Sequence, residues 1–135
     1  MKELLSTNCF DTEESIVILG SCLRDKENLK EEIQKISPYV YTVCLEETHF
    51  NMVVTKVLDI LAREKTKRIA IITVDKSPHC TQLHYLTKEI ENILGRNRAT
   101  IQNYVVENDK LVEIPLEVIG LSKNLAKLKR EMKGE

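Results

Sequence analysis

Short apolar runs alternate along the chain with segments whose apolar residues recur every three or four positions. Ser15–Leu19 (SIVIL), Tyr39–Leu45 (YVYTVCL) and Ile69–Val74 (IAIITV) are nearly unbroken apolar stretches, the form expected of strands covered on both faces. Between them lie two helical patterns. The first runs over about Lys26–Ile36, with Asp25 as expected N-cap, Leu29, Ile33 and Ile36 on one face, and Ser37-Pro38 as the stop. The second begins after Thr48 as N-cap and carries Phe50, Val53, Val54, Val57, Leu58 and Leu61 as an apolar stripe. After the third strand, Asp75-Lys76-Ser77-Pro78 opens a helix expected to run to Leu94. Ser77 stands at its N-cap, Leu83, Leu86, Ile90, Ile93 and Leu94 lie on its inner face, and Gly95 stops it.

Ala99–Val106 (ATIQNYVV) is a more polar strand, expected nearer an edge, and Leu111–Ile114 either pairs back on it as a hairpin or extends the sheet. Pro115 closes that segment, and a last helix is expected over Ser122–Met132, where Leu125, Leu128 and Met132 align. Residues 1–14 show little pattern beyond Leu4, Leu5 and Phe10 and read as a short helix or an arm. Strands alternating with helices in this way predict a three-layer α/β/α sandwich, flavodoxin-like or Rossmann-like, with a mostly parallel sheet of four to five strands in one domain over 1–135. The order of the strands does not follow from the pattern.

Composition narrows the function classes. A net charge of −1 argues against a broad basic footprint for nucleic acid or an anionic membrane. The basic residues at Lys123, Lys127, Lys129, Arg130 and Lys133 suit the solvated face and end of a terminal helix. The opening MKELLSTNCF has no apolar signal-peptide core and no run reaches membrane-spanning length, so a cytoplasmic location is expected. In that compartment the four cysteines are expected as thiols, metal ligands or nucleophiles rather than as disulfides. No C-x-x-C, G-x-G-x-x-G, P-loop, H-E-x-x-H or G-x-S-x-G occurs, which disfavours dithiol, dinucleotide, nucleotide, zincin and serine-hydrolase chemistry.

The candidate chemistry lies where strands end. Ligands of an open parallel sheet bind at the carboxyl ends of the strands. Cys22 follows the first strand, Cys44 ends the second, and His79 and Cys80 follow the third, while His49 begins the helix after the second. Cys9 precedes the first strand closely enough to reach either end of it. On a helical wheel His79 faces the sheet, Cys80 falls at the margin of the apolar stripe and His84 just beyond, one turn from Cys80. Thiolate and imidazole at that spacing suit a soft metal, or a nucleophile with its base. Each residue also has a plainer reading: Cys22 and Cys44 as small buried hydrophobes, His49 and His84 as surface residues.

The segment SPHCTQLHYLTKEI resembles the CHPGDCHY segment of the methyl-viologen-reducing hydrogenase delta-subunit family, an iron–sulfur α/β domain of electron-transfer complexes. Pro78, Cys80, His84 and Tyr85 carry the likeness, with a different spacing between the cysteine and His-Tyr. Where that family has further cysteines in its early strand turns, this chain has Cys22 and Cys44. The resemblance implies an iron–sulfur or redox association and an electron-transfer partner protein.

The leading expectation is therefore a metal or iron–sulfur site, or a redox-active thiol, at the strand rim, with an iron–sulfur cluster or zinc held by Cys80 as central ligand, Cys22 and Cys44 as co-ligands, and His84 or His79 completing or orienting the set. A second is a thiol enzyme with Cys80 as nucleophile and His84 as its base. A third is a non-catalytic binding or subunit domain whose rim takes a small anion or partner through Ser21, Ser77, His79 and backbone N–H groups, its cysteines being core filler.

Overall fold

The computed structural model describes residues 1–8, 12–74, 78–119 and 129–130, with the side chains of residues 78–80 and 116 outside the description. Six strands form one sheet: β1 (Lys2–Glu3), β2 (Ser15–Gly20), β3 (Val40–Val43), β4 (Arg68–Val74), β5 (Thr100–Glu107) and β6 (Lys110–Glu113). Their order across the sheet is β1-β3-β2-β4-β5-β6. All neighbouring pairs are parallel except β5 and β6.

The helices are α1 (Glu27–Ile36), α2 (Phe50–Ala62), α3 (Pro78–Leu83) and α4 (Tyr85–Leu94). From β2 the chain crosses outward to β3 through α1, then reverses over β2 to reach β4 through α2. Because such crossovers are right-handed, reversing direction puts the two helices on opposite faces. The side chains record the split. Ile16, Ile18, Ile69 and Ile71 pack with Val53, Val57, Leu61, Leu86 and Ile90 of α2 and α4. Val17, Leu19, Ala70 and Ile72, the alternate positions of the same strands, pack with Leu29 and Ile33 of α1. A strand buried on both sides has no polar face to show, which is why these runs read as continuous.

The sheet has six strands rather than four to five. The added edge strand, β1, is only two exposed residues long and has no periodicity to betray it. Leu4 follows in a short 3-10 turn and is fully buried against α2's side, so part of the expected arm is core. The hairpin alternative holds for β6: Glu107 pairs with Lys110 across Asn108 and Asp109, both at positive φ (53° and 60°), as a tight two-residue hairpin turn requires. Gly95 ends α4 at φ 87°, its N–H bonded to the Glu91 carbonyl at 2.9 Å.

Both expected N-caps shift by one residue. Lys26 and His49 occupy those positions before α1 and α2, and neither side chain makes a capping bond. At the other end of α2, the Arg98 guanidinium donates to the Leu61 carbonyl through Nε (3.2 Å) and Nη2 (2.9 Å) and to Glu64 through Nη1 (3.3 Å), satisfying a helix end that the pattern left open. The buried stripe of α4 stops at Ile90, and Ile93 and Leu94 are exposed. The expected last helix lies outside the described residues apart from 129–130, which are helical; there the Arg130 guanidinium forms an ion pair with Glu107.

Candidate functional site at the strand rim

The chain reverses its winding between β2 and β4, so the carboxyl ends of these two strands border the crevice where an open α/β sheet binds ligands. Gly20 ends β2, and Ser21–Leu23 form a 3-10 turn closed by the Arg24 N–H on the Ser21 carbonyl at 3.1 Å. A Cβ placed on Gly20 would lie 3.7 Å from the Ile72 carbonyl oxygen and 3.8 Å from Cys22 Sγ. Those are ordinary contacts, so Gly20 is not needed for space. They do place the Cys22 sulfur beside Gly20, at the end of β2.

Cys44 follows β3 directly, in a turn where the Glu47 N–H bonds the Cys44 carbonyl at 3.2 Å. It is half-buried, Cys22 is exposed, and neither forms a disulfide. Ser21, Arg24, Cys44, Glu47 and Thr48 line a cavity of about 50 Å³ between the β2 and β3 exits. That volume suits a water or a small ion rather than a substrate. His49 is exposed at the start of α2.

β4 ends at Val74 and α3 starts at Pro78, which puts the backbone of His79 and Cys80 in the helix that leaves this rim. Ser77 and Cys9 lie outside the described residues, as do the side chains of His79 and Cys80.

His84 does not join the rim. The helix expected to run unbroken to Leu94 divides at this residue, whose N–H bonds the Thr81 carbonyl at 3.1 Å while its own carbonyl accepts from Thr87 N–H at 3.2 Å, both three residues apart. The side chain is fully buried. Its Nδ1 lies 2.8 Å from Asn103 Oδ1 and its Nε2 lies 2.7 Å from Thr73 Oγ1. Asn103 Nδ2 donates to Thr87 Oγ1 at 3.0 Å.

The protons follow from that network. Oδ1 can only accept, so Nδ1 carries the hydrogen and Nε2 accepts from the Thr73 hydroxyl. Burial lowers the His84 pKa from 6.5 to about 4, with the Asn103 bond opposing the shift, so the ring is neutral at pH 7. A metal ligand or a general base needs a ring nitrogen of its own to offer, and both are engaged. The expectation of His84 as surface residue, metal ligand or base is corrected accordingly: it ties β4, β5 and the α3–α4 junction together. A signal for this was present. Thr73 and Asn103 are polar residues at inward-facing positions of their strands, on the side where Ile69 and Ile71 pack.

Among the described residues no group of three or more His, Cys, Asp or Glu side chains is placed to hold a metal ion, and no helix is long and apolar enough to cross a membrane. The family description that fits the chain is a Rossmann-like domain, matched over residues 10–134. The chain belongs to the Rossmann-like domain family. No curated protein and no solved structure matches it. For a Rossmann-like domain the absence of G-x-G-x-x-G after β2 is notable: SIVILGSC has one glycine, and the turn that follows brings a thiol to the crevice in place of a glycine-lined phosphate cradle.

Proposed function

We propose that this Rossmann-like domain holds a soft metal or an iron–sulfur cluster at the strand rim through the thiolates of Cys22, Cys44 and Cys80, in a redox setting with an electron-transfer partner protein. One observation carries the reading. Cys44 directly follows β3, Cys22 lies in the turn after β2, and the backbone of Cys80 belongs to the helix after β4, and these three strands are neighbours in the sheet, which supports a shared sulfur site. Adjacent strands run about 4.8 Å apart, so the two outer strands are separated by about 10 Å, a span better matched to a polynuclear cluster than to one ion. The likeness of Pro78, Cys80, His84 and Tyr85 to the hydrogenase delta-subunit segment supports the same chemistry.

In this reading such a cluster supplies one-electron transfer. The protein's own residues do the rest. Cys22 offers its sulfur at the end of β2, Cys44 lines with Ser21 the small cavity at the neighbouring exit, and His84 acts as a positioning residue that anchors the helical turn bearing Cys80. The catalytic dyad of Cys80 with His84 is not favoured, because the ring is occupied by Thr73 and Asn103.

The test is anaerobic purification followed by visible absorbance and by iron, zinc and sulfide analysis of the wild type and of Cys22→Ser, Cys44→Ser and Cys80→Ser. Each substitution should remove most of the bound metal while the far-UV circular dichroism stays unchanged. A wild-type chain that stays colourless and metal-free after reconstitution with iron and sulfide, or with zinc, sinks the proposal.

A further inference from the structure

Between α1 and the β3–β1 edge of the sheet lies a groove of about 660 Å³, a size usual for small-molecule sites. It is on the α1 face and one strand outward from the β2–β4 crevice. Its floor includes the buried Ile33 and Val40, and Tyr39, 46% exposed, stands at one end. Lys2, Arg24, Lys26 and Lys30 line it, and none of the four has an ion-pair partner among the described residues.

Two acidic residues share the lining. Glu13 is turned to Lys65 at 3.5 Å, which leaves Glu27 as the one carboxylate of the lining without an ion-pair partner among the described residues. In a chain whose net charge is −1, this concentration of positive charge runs against the average. Lys26 stands just before α1 and Lys30 in its first turn, so two cations sit at the same end of the groove. The start of α1, which no side chain caps, adds its partial positive charge at the same end of the groove.

We infer that this groove is a binding site for an organic phosphate, with the phosphate groups held by Lys26, Lys30 and their neighbours and the organic part lying over Val40 toward Tyr39. Four cations facing a single carboxylate unpaired among the described residues, Glu27, select a multiply charged anion, while the apolar floor and the exposed ring select a ligand with a hydrophobic or planar portion. The inference does not depend on the thiol rim. Arg24 borders both places, so the test leaves it alone.

The experiment is isothermal titration of the full chain at low salt with ADP, pyrophosphate and adenosine as probes. ADP should bind most tightly, pyrophosphate more weakly and adenosine not measurably. The double variant Lys26→Glu/Lys30→Glu should weaken ADP by about tenfold or more, and Tyr39→Ala by about threefold. ADP affinity should also fall as salt is raised. Cys22→Ser/Cys44→Ser should bind ADP as the wild type does. The inference is overturned if ADP does not bind, if pyrophosphate binds as tightly as ADP, or if the folded charge-reversed variant keeps full affinity. Loss of ADP binding in the cysteine double variant overturns it too, by placing the ligand at the rim.

Discussion

At the carboxyl ends of the strands, Ser21 and Cys44 are half-buried and Cys22 is exposed, whereas just inside the sheet Thr73, His84, Thr87 and Asn103 are all buried and bonded to one another. Both groups are polar or reactive side chains of one sheet and its connections: the outer three follow β2 and β3, and the inner four belong to β4, β5 and the α3–α4 segment. The inner four have exchanged water for one another, and each depends on its partners, because a buried polar atom that loses its bond keeps the full cost of desolvation. The outer three can lose a partner to water at little cost, which leaves them available to an external ligand.

The contrast can be broken most directly at His84. Replacing it by Ala strands Thr73 and Asn103 and opens a cavity, so His84→Ala should destabilise the fold by about 3–4 kcal/mol in urea unfolding. A loss below about 1 kcal/mol would mean that the inner network is not structural.

Acid is the next lever. His84 titrates near 6.5 when unfolded and about 4 when folded, so between these values the unfolded chain binds the additional proton. Its contribution is therefore fully present above about pH 6.5 and is lost as the pH falls toward 4, amounting to roughly 3 kcal/mol across that window. Stability measured against pH should show this slope in the wild type and a shallower one in His84→Ala. Equal slopes would assign the acid sensitivity elsewhere.

The smallest effect is expected at the rim. Cys22→Ser and Cys44→Ser should each change the stability of the metal-free chain by less than about 0.5–1 kcal/mol, since neither sulfur is deeply buried. A loss of several kcal/mol from either would make that cysteine a packing residue and erase the distinction between the two groups.

The apolar runs at 15–19 and 69–74 and the stripe of α2 were legible as buried elements because burial on both faces, or on one helical face, is written directly in residue order. That Cys22 and Cys44 follow their strands at the carboxyl end of the sheet came from the same reading, since exits of parallel strands share a rim whatever their order. Three features were not legible. β1 is two residues long and owes its place to pairing with β3. The helix divides at His84 because the ring reaches side chains 11 and 19 residues away in sequence. The cationic groove joins Lys2 to α1 across strands that only the sheet brings together.

The residue order by itself thus determined which of the longer segments are strands and helices, that the layers are α/β/α, and at which end of the sheet Cys22 and Cys44 lie. Local periodicity and chain direction suffice for that. The tertiary structure alone decided the strand order, the place where the winding reverses, and whether a given polar side chain turns inward to partners or outward to ligands. Each of these depends on contacts between residues far apart in the chain, and no local pattern encodes a partner it does not contain.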